Sequence, residues 1–158
     1  MNIALWIIQA LLALLFLFTY PGAPCLYYGD EVGMKGAHDP DCRRGFPWDD
    51  SRWNYDLLNY TKAVIALRNE YPALRRGSYH RLYSERQAFA MGRKHEGKAL
   101  VMVVNNDEAP HTCDFSIEAL TPGNATPSTV FGPDLGPQIE NNRLRVEVPA
   151  RTGIVIRL

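Results

Sequence analysis

Residues 21–33 read PGAPCLYYGDEVG, with two prolines, three glycines, adjacent tyrosines and an Asp-Glu pair. The Pro-Gly at its start and Gly29 within it bracket a short apolar run. A strand is therefore predicted over Pro24–Tyr28. Asp30 and Glu31 have the look of a catalytic pair. Neighbouring side chains on an extended segment point to opposite sides, however, so the two cannot close on one bond together.

Upstream, residues 3–18 read IALWIIQALLALLFLF, with Gln9 the strongly polar exception. The run is slightly shorter than the roughly 20 apolar residues of a membrane span. A secretory signal needs a basic start and a small-residue cleavage site, whereas no Lys or Arg precedes this run and Cys25 follows Pro24, a poor lipoprotein-type junction. A buried helix leading into a buried strand fits the same pattern, because elements covered on all sides need no polar face. Membrane anchor and buried core both stand open at this level.

Downstream, MKGAHDPDCRRGFPWDDSRW (34–53) lacks any regular period. A loop of that length in a compact domain is often functional. A helix is predicted over 55–71, where Leu57, Tyr60, Val64, Leu67 and Tyr71 form one stripe, widened by Leu58 and Ile65. Asn54 or Asp56 can cap its start, and Pro72 limits its continuation.

From residue 79 short strands alternate with turn clusters: YHRLYS, QAFAMGRK and KALVMVVNN, then 112–117, 127–131, 143–148 and 153–158. His95-Glu96-Gly97 reads as a hairpin turn. Leu144, Val146 and Val148 alternate with Arg145 and Glu147, so one face of that strand is wet. This succession predicts an antiparallel sandwich, with a boundary near Arg76–Ser78.

Bulk properties narrow the function. With 46% hydrophobic and 22% charged residues, the 158-residue chain can bury a core. Basic and acidic side chains balance at 17 each, which gives no basis for a nucleic-acid partner. Cys25, Cys42 and Cys113 are odd in number and widely spaced, and the histidines show no ligand spacing with them. Neither a disulfide framework nor a zinc site is indicated, and a reducing, cytoplasmic setting is the plain expectation. The alternative is membrane attachment through residues 3–18. Two glycosylation-type triplets begin at Asn59 and Asn124, a pattern common by chance.

Three motifs then come in order: PGAPCLYYGDEVGM (21–34), DPDCRRGFPWD (39–49) and IALRNEYPALRRG (65–77). Together they resemble the C-terminal third of the α-amylase superfamily of glycoside hydrolases, most closely the cyclomaltodextrinase, neopullulanase and maltogenic-amylase branch. The resemblance implies the following organisation. Residues 1–76 would be the end of a (β/α)8 barrel, with helix seven at 3–18, strand eight near 24–28, the strand-eight loop at 34–53 and helix eight at 55–71. Residues 77–158 would be a C-terminal β-sandwich. One of Tyr27 and Tyr28 would face the barrel interior and the other a helix. Asp30-Glu31 would support the barrel rim, binding backbone amides or an arginine. Trp48 would pack under the loop.

Retaining hydrolysis of an α-glucan needs two carboxyls roughly 5–5.5 Å apart across the scissile bond. By the resemblance these, and a third Asp, precede the portion present here, and no NHD-type tripeptide occurs in the chain. No catalytic residue, metal or cofactor is assigned. What remains is DPDCRR. A carboxylate accepts from vicinal sugar hydroxyls, and a guanidinium donates to them through a fixed fork. The resemblance makes Asp39 and Arg43 the substrate-binding residues, with Asp41 and Arg44 as ion-paired scaffold. The plain alternative is a salt-bridged surface loop. The expected partners are an α-glucan or maltooligosaccharide and the missing barrel part as a separate chain. The chain alone is expected to be inactive, whether it is a truncated gene, a split subunit or a product of an internal start at Met1. The competing class is a membrane-anchored β-sandwich that binds proteins or glycans.

Overall fold

A computed structural model describes residues 3–120 and 125–158. Three helices, α1 (Ile3–Thr19), α2 (Tyr55–Glu70) and α3 (Pro72–Arg76), precede eight strands. The strands are β1 (Ser78–Glu85), β2 (Ala88–His95), β3 (Lys98–Asn105), β4 (His111–Ser116), β5 (Ser128–Phe131), β6 (Gln138–Glu140), β7 (Arg143–Val148) and β8 (Thr152–Arg157). They form a five-stranded sheet in the order β1-β2-β3-β8-β5 and a three-stranded sheet in the order β4-β7-β6. All the pairings are antiparallel.

The larger sheet is covered on both faces, and its sequence shows why. Along β3, Ala99, Val101 and Val103 pack into the core between the sheets, while Leu100 and Met102 join the helices. β8 repeats the pattern, with Ile154 and Ile156 on one side and Val155 on the other. A strand buried on both faces reads as a continuous apolar run. β7, by contrast, buries only Leu144, Val146 and Val148. Its Arg143, Arg145 and Glu147 face water, as their alternation predicts.

Two-residue turns set the registers. His95 pairs with Lys98 across Glu96-Gly97, both at positive φ (48° and 78°). Glu140 pairs with Arg143 across Asn141 and Asn142, at φ 49° and 59°. These are the left-handed positions that suit Gly and Asn in tight hairpins. The short β6 before the Asn pair has too few residues to show alternation, and no sequence pattern announced it.

The helices lie on the outer face of the five-stranded sheet. Leu57, Val64 and Leu67 of α2 are buried, and Asn54 caps the helix by accepting from the Leu57 amide at 3.0 Å. Ile65 does not widen the stripe. It is 39% exposed, and the buried positions on its flanks are instead Thr61 and Arg68. Proline at its first position lets α3 start directly after α2.

α1 is not covered on all sides. Leu12, Leu14, Leu15 and Phe18 are buried against the sheet and α2, whereas Ala13 and Phe16 are exposed. Its close approach to β8 depends on Gly153, where a Cβ would stand 2.6 Å from Leu15 Cδ2. Among the described residues no helix is long and apolar enough to cross a membrane. Asn59 lies exposed on α2, and Asn124 lies outside the described residues.

Candidate functional site

The polypeptide between α1 and α2 carries the candidate site. No strand forms at Pro24–Tyr28: residues 23–27 have no ladder partner. Alternation buries side chains only when sheet neighbours and covering layers exist. Among the described residues no strand lies alongside, and of the run Leu26 leans on the helix cluster. Both tyrosines are accordingly exposed, Tyr27 by 51% and Tyr28 by 42%, with ring centroids 4.5 Å apart. The expected inside-outside division between them is absent.

Asp30-Glu31 falls in a 3-10 turn, Asp30–Val32, flanked by Gly29 and Gly33 at φ 91° and 73°. The Glu31 carboxylate accepts from the Gly29 amide at 2.8 Å, one of the two structural roles expected of the pair. Partial desolvation raises the Asp30 carboxyl above its ordinary range, opposed by a backbone hydrogen bond with Tyr27 and supported by the neighbouring Glu31 charge.

The 34–53 loop holds itself together through its own polar groups. Asp41 accepts from the Ala37 amide at 2.9 Å and from Arg44 through both carboxylate oxygens, at 2.5 and 2.8 Å. The Arg44 hydrogen bond holds the Asp41 carboxyl below the usual carboxylate range. Tyr28 Oη donates to the Arg44 carbonyl at 3.0 Å and so ties the loop to the preceding segment. Asp49 accepts from the amide and hydroxyl of Ser51. Asn54 N donates to the Val32 carbonyl at 3.0 Å and closes the loop onto α2.

Asp39 and Arg43 are brought together across the 3-10 turn Asp41–Arg43, with Arg43 Nε 3.0 Å from Asp39 Oδ1. The Asp39-Pro40 peptide is cis. Both side chains of the pair face solvent, 62% and 70% exposed. Arg43 Nη2 also donates to Asp39 Oδ2 at 3.3 Å, so the loop holds two bidentate Asp–Arg pairs. Asp41 additionally accepts from the Ala37 amide, and Asp39–Arg43 is the more exposed pair. An exposed carboxylate beside an exposed guanidinium can accept from one hydroxyl and donate to its neighbour.

The aromatic residues divide differently from the sequence expectation. Trp48 does not pack under the loop. It is 84% exposed, with its ring edge-to-face with Phe46 at a centroid distance of 4.9 Å. Phe46 and Trp53 fill the space beneath, with centroids 5.9 Å apart and the Trp53 indole N–H donating to the Pro47 carbonyl at 2.6 Å. Sequence reasoning missed the Tyr28 anchor and two buried arginines, Arg68 and Arg93, because each bonds a carbonyl distant in sequence. Among the described residues no three His, Cys, Asp or Glu side chains gather as a metal site.

No family model matches the chain. A cyclomaltodextrinase from a Bacillus species is 45% identical over 103 residues, 64% of this chain and 18% of that protein. An amylopullulanase from Thermoanaerobacter thermohydrosulfuricus is 30% identical over 156 residues, 92% of this chain and 10% of that protein. The debranching enzyme of Nostoc punctiforme superposes with a TM-score of 0.85 at 34% identity, over 96% of this chain and 31% of that one. The chain therefore spans less than a fifth of the length of these curated relatives. It is largely β-sheet, resembling the C-terminal β-sandwich domain of α-amylase family enzymes. The chain is a homologue of cyclomaltodextrinase, neopullulanase, maltogenic amylase and amylopullulanase, and corresponds to part of an α-amylase family enzyme.

Proposed function

We propose that the chain is the C-terminal portion of an α-glucan-acting glycoside hydrolase, with residues 1–76 the end of its (β/α)8 barrel and 77–158 its C-terminal sandwich. Asp39 and Arg43 are its sugar contacts. The observation that carries this reading is the contrast within one loop. Both Asp–Arg pairs are bidentate, but Asp41 is also tied to the Ala37 amide, and Asp39 and Arg43 are the more exposed, 62% and 70% against 35% and 55% for Asp41 and Arg44. The homologues are α-glucan hydrolases, and one neighbour, the Nostoc enzyme, was solved after soaking with acarbose.

The uncovered side of α1, with Phe16 and Tyr20 exposed, and the unpaired 23–27 segment support the barrel assignment. Exposed apolar surface of this kind marks an interface, and the remaining barrel units, in the same or a separate polypeptide, are its counterpart. The three free thiols fit a cytoplasmic setting. By this reading the catalytic carboxyls belong to those remaining units, and the chain alone does not hydrolyse.

The test has two arms. The pure 158-residue chain is expected to release no reducing sugar from maltotriose or cyclodextrin, and measurable release would overturn the inactivity. Complemented with the upstream barrel units of a relative, it is expected to restore turnover. In that complex Asp39→Asn and Arg43→Gln each raise KM for maltotriose about tenfold, as lost charge-assisted hydrogen bonds do. Unchanged KM in both variants would remove the sugar-contact assignment.

A further inference from the structure

We propose that the cleft between the start of α3, the β2–β3 turn and the end of β8 binds a small organic monoanion with an apolar body, at a site separate from the Asp39–Arg43 loop. Its lining comes wholly from this chain, and the cavity measures about 100 Å³. That is below the roughly 300–1,000 Å³ of drug-sized sites and nearer the roughly 150 Å³ that holds a benzene ring. Size alone therefore limits the occupant to one ring or a short chain.

The strand period determines what the cleft presents. Lys98 and Leu100 are two apart on β3 and share a face, His95 is the cross-strand partner of Lys98, and Arg157 is the partner of Leu100. Directly paired residues of antiparallel strands project to the same side. Leu100 packs among the helices, so this is the helix-covered side. α3 is only five residues long and covers this corner incompletely. The result is an apolar floor of Leu100, Pro72 and Ala73, with the Ala99 backbone at its edge, walled by Tyr71 and rimmed by Lys98 and Arg157.

Two properties choose the ligand. First, among the described residues neither Lys98 nor Arg157 lies within ion-pair distance of a carboxylate. The rim acid, Glu96, is 85% exposed and leans on His95 at 3.8 Å. Lys98 and Arg157 thus outnumber Glu96 among the lining residues, with the Glu70 carboxylate beside the Tyr71 wall. Second, the floor side chains carry no hydrogen-bonding group. A sugar would leave its hydroxyls unpaired there, which disfavours its binding. A single ring or short chain bearing one carboxylate satisfies both the floor and the rim.

Titration of the isotope-labelled full chain with sodium benzoate, followed by amide NMR, tests the site. Saturable shifts at Ala73, Ala99 and Leu100 are expected, with benzyl alcohol at least about tenfold weaker because it lacks the charge. Arg157→Gln and Lys98→Gln should each weaken benzoate severalfold while leaving distant amides in place. Three outcomes would overturn the proposal: no saturable shift by about 20 mM benzoate, weaker than any useful site; equal binding of benzyl alcohol; or shifts at these amides from maltose instead. All three comparisons use the unaltered protein, so they hold even if a variant fails to fold.

Discussion

Arg93 of β2 donates through Nη1 to the Thr19 carbonyl at 2.8 Å, joining positions 74 apart in sequence. Its Nη2 donates to the Gly77 carbonyl at 2.9 Å. Arg68 of α2 reaches the same helix end, donating to the Phe18 carbonyl at 2.7 Å and to those of Tyr20 and Gly22. The last carbonyls of a helix have no partners within it and carry the negative end of its dipole. Two arginines from different layers satisfy them and lock α1 onto the sheet. Both are nearly buried, Arg93 2% and Arg68 8% exposed, and burial lowers both guanidinium pKa values without discharging them.

Arg93→Met should cost about 3 kcal/mol, since it strands buried carbonyls. Urea unfolding of the variant measures it. Arg68→Met should cost a similar amount, and the double variant less than the sum, because both side chains serve one helix end.

Gly153→Val should destabilise by about 1–3 kcal/mol through overpacking against Leu15. Leu15→Ala in the same chain should restore part of the loss. Failure of any such compensation would show that α1 does not pack on β8 at this point.

The Asp39–Arg43 pair is exposed, so Asp39→Asn should change stability by less than about 0.5 kcal/mol. The same thermal unfolding series should find Asp41→Asn more damaging to the loop, since Asp41 holds Ala37 and Arg44.

Asp41 titrates below its unfolded value when the chain is folded, chiefly through Arg44. Its contribution to loop order is therefore present above the ordinary carboxylate range and lost as pH falls through the lowered folded value. A carboxyl-carbon NMR titration should show that low midpoint, and Arg44→Gln should move it up.

Burial pushes the Cys113 thiol up to about 11, aided by the charge of Glu85, whereas Cys25 and Cys42 are exposed. At pH 8 a disulfide reagent should modify Cys25 and Cys42 promptly and Cys113 only after unfolding. Prompt labelling of all three would contradict the packing between the sheets.

Much of the sandwich is legible in the residue pattern alone. The continuous apolar run of β3, the strict alternation of β7 and the Glu96-Gly97 turn each carry a local signal, and local signals survive without a partner. The α2 stripe and the Asn54 cap are legible for the same reason. The absence of a strand at 24–28 is not, because a strand is a relation to a neighbour and none lies beside it here. Ile65 and Trp48 mislead because periodicity and motif likeness say which residues can be covered, not whether a covering layer is present.

The sequence by itself determined most of the element types, the Glu96-Gly97 turn and the family likeness, since these rest on periods of two and 3.6 and on short motifs. The tertiary structure alone decided that the helices share a core with the larger sheet and that Arg68 and Arg93 close the end of α1. It alone decided that Asp41 is tied to the Ala37 backbone while Asp39–Arg43 is the more exposed of the two pairs. Each of these depends on which backbone carbonyls and side chains meet in three dimensions, and no local pattern encodes that.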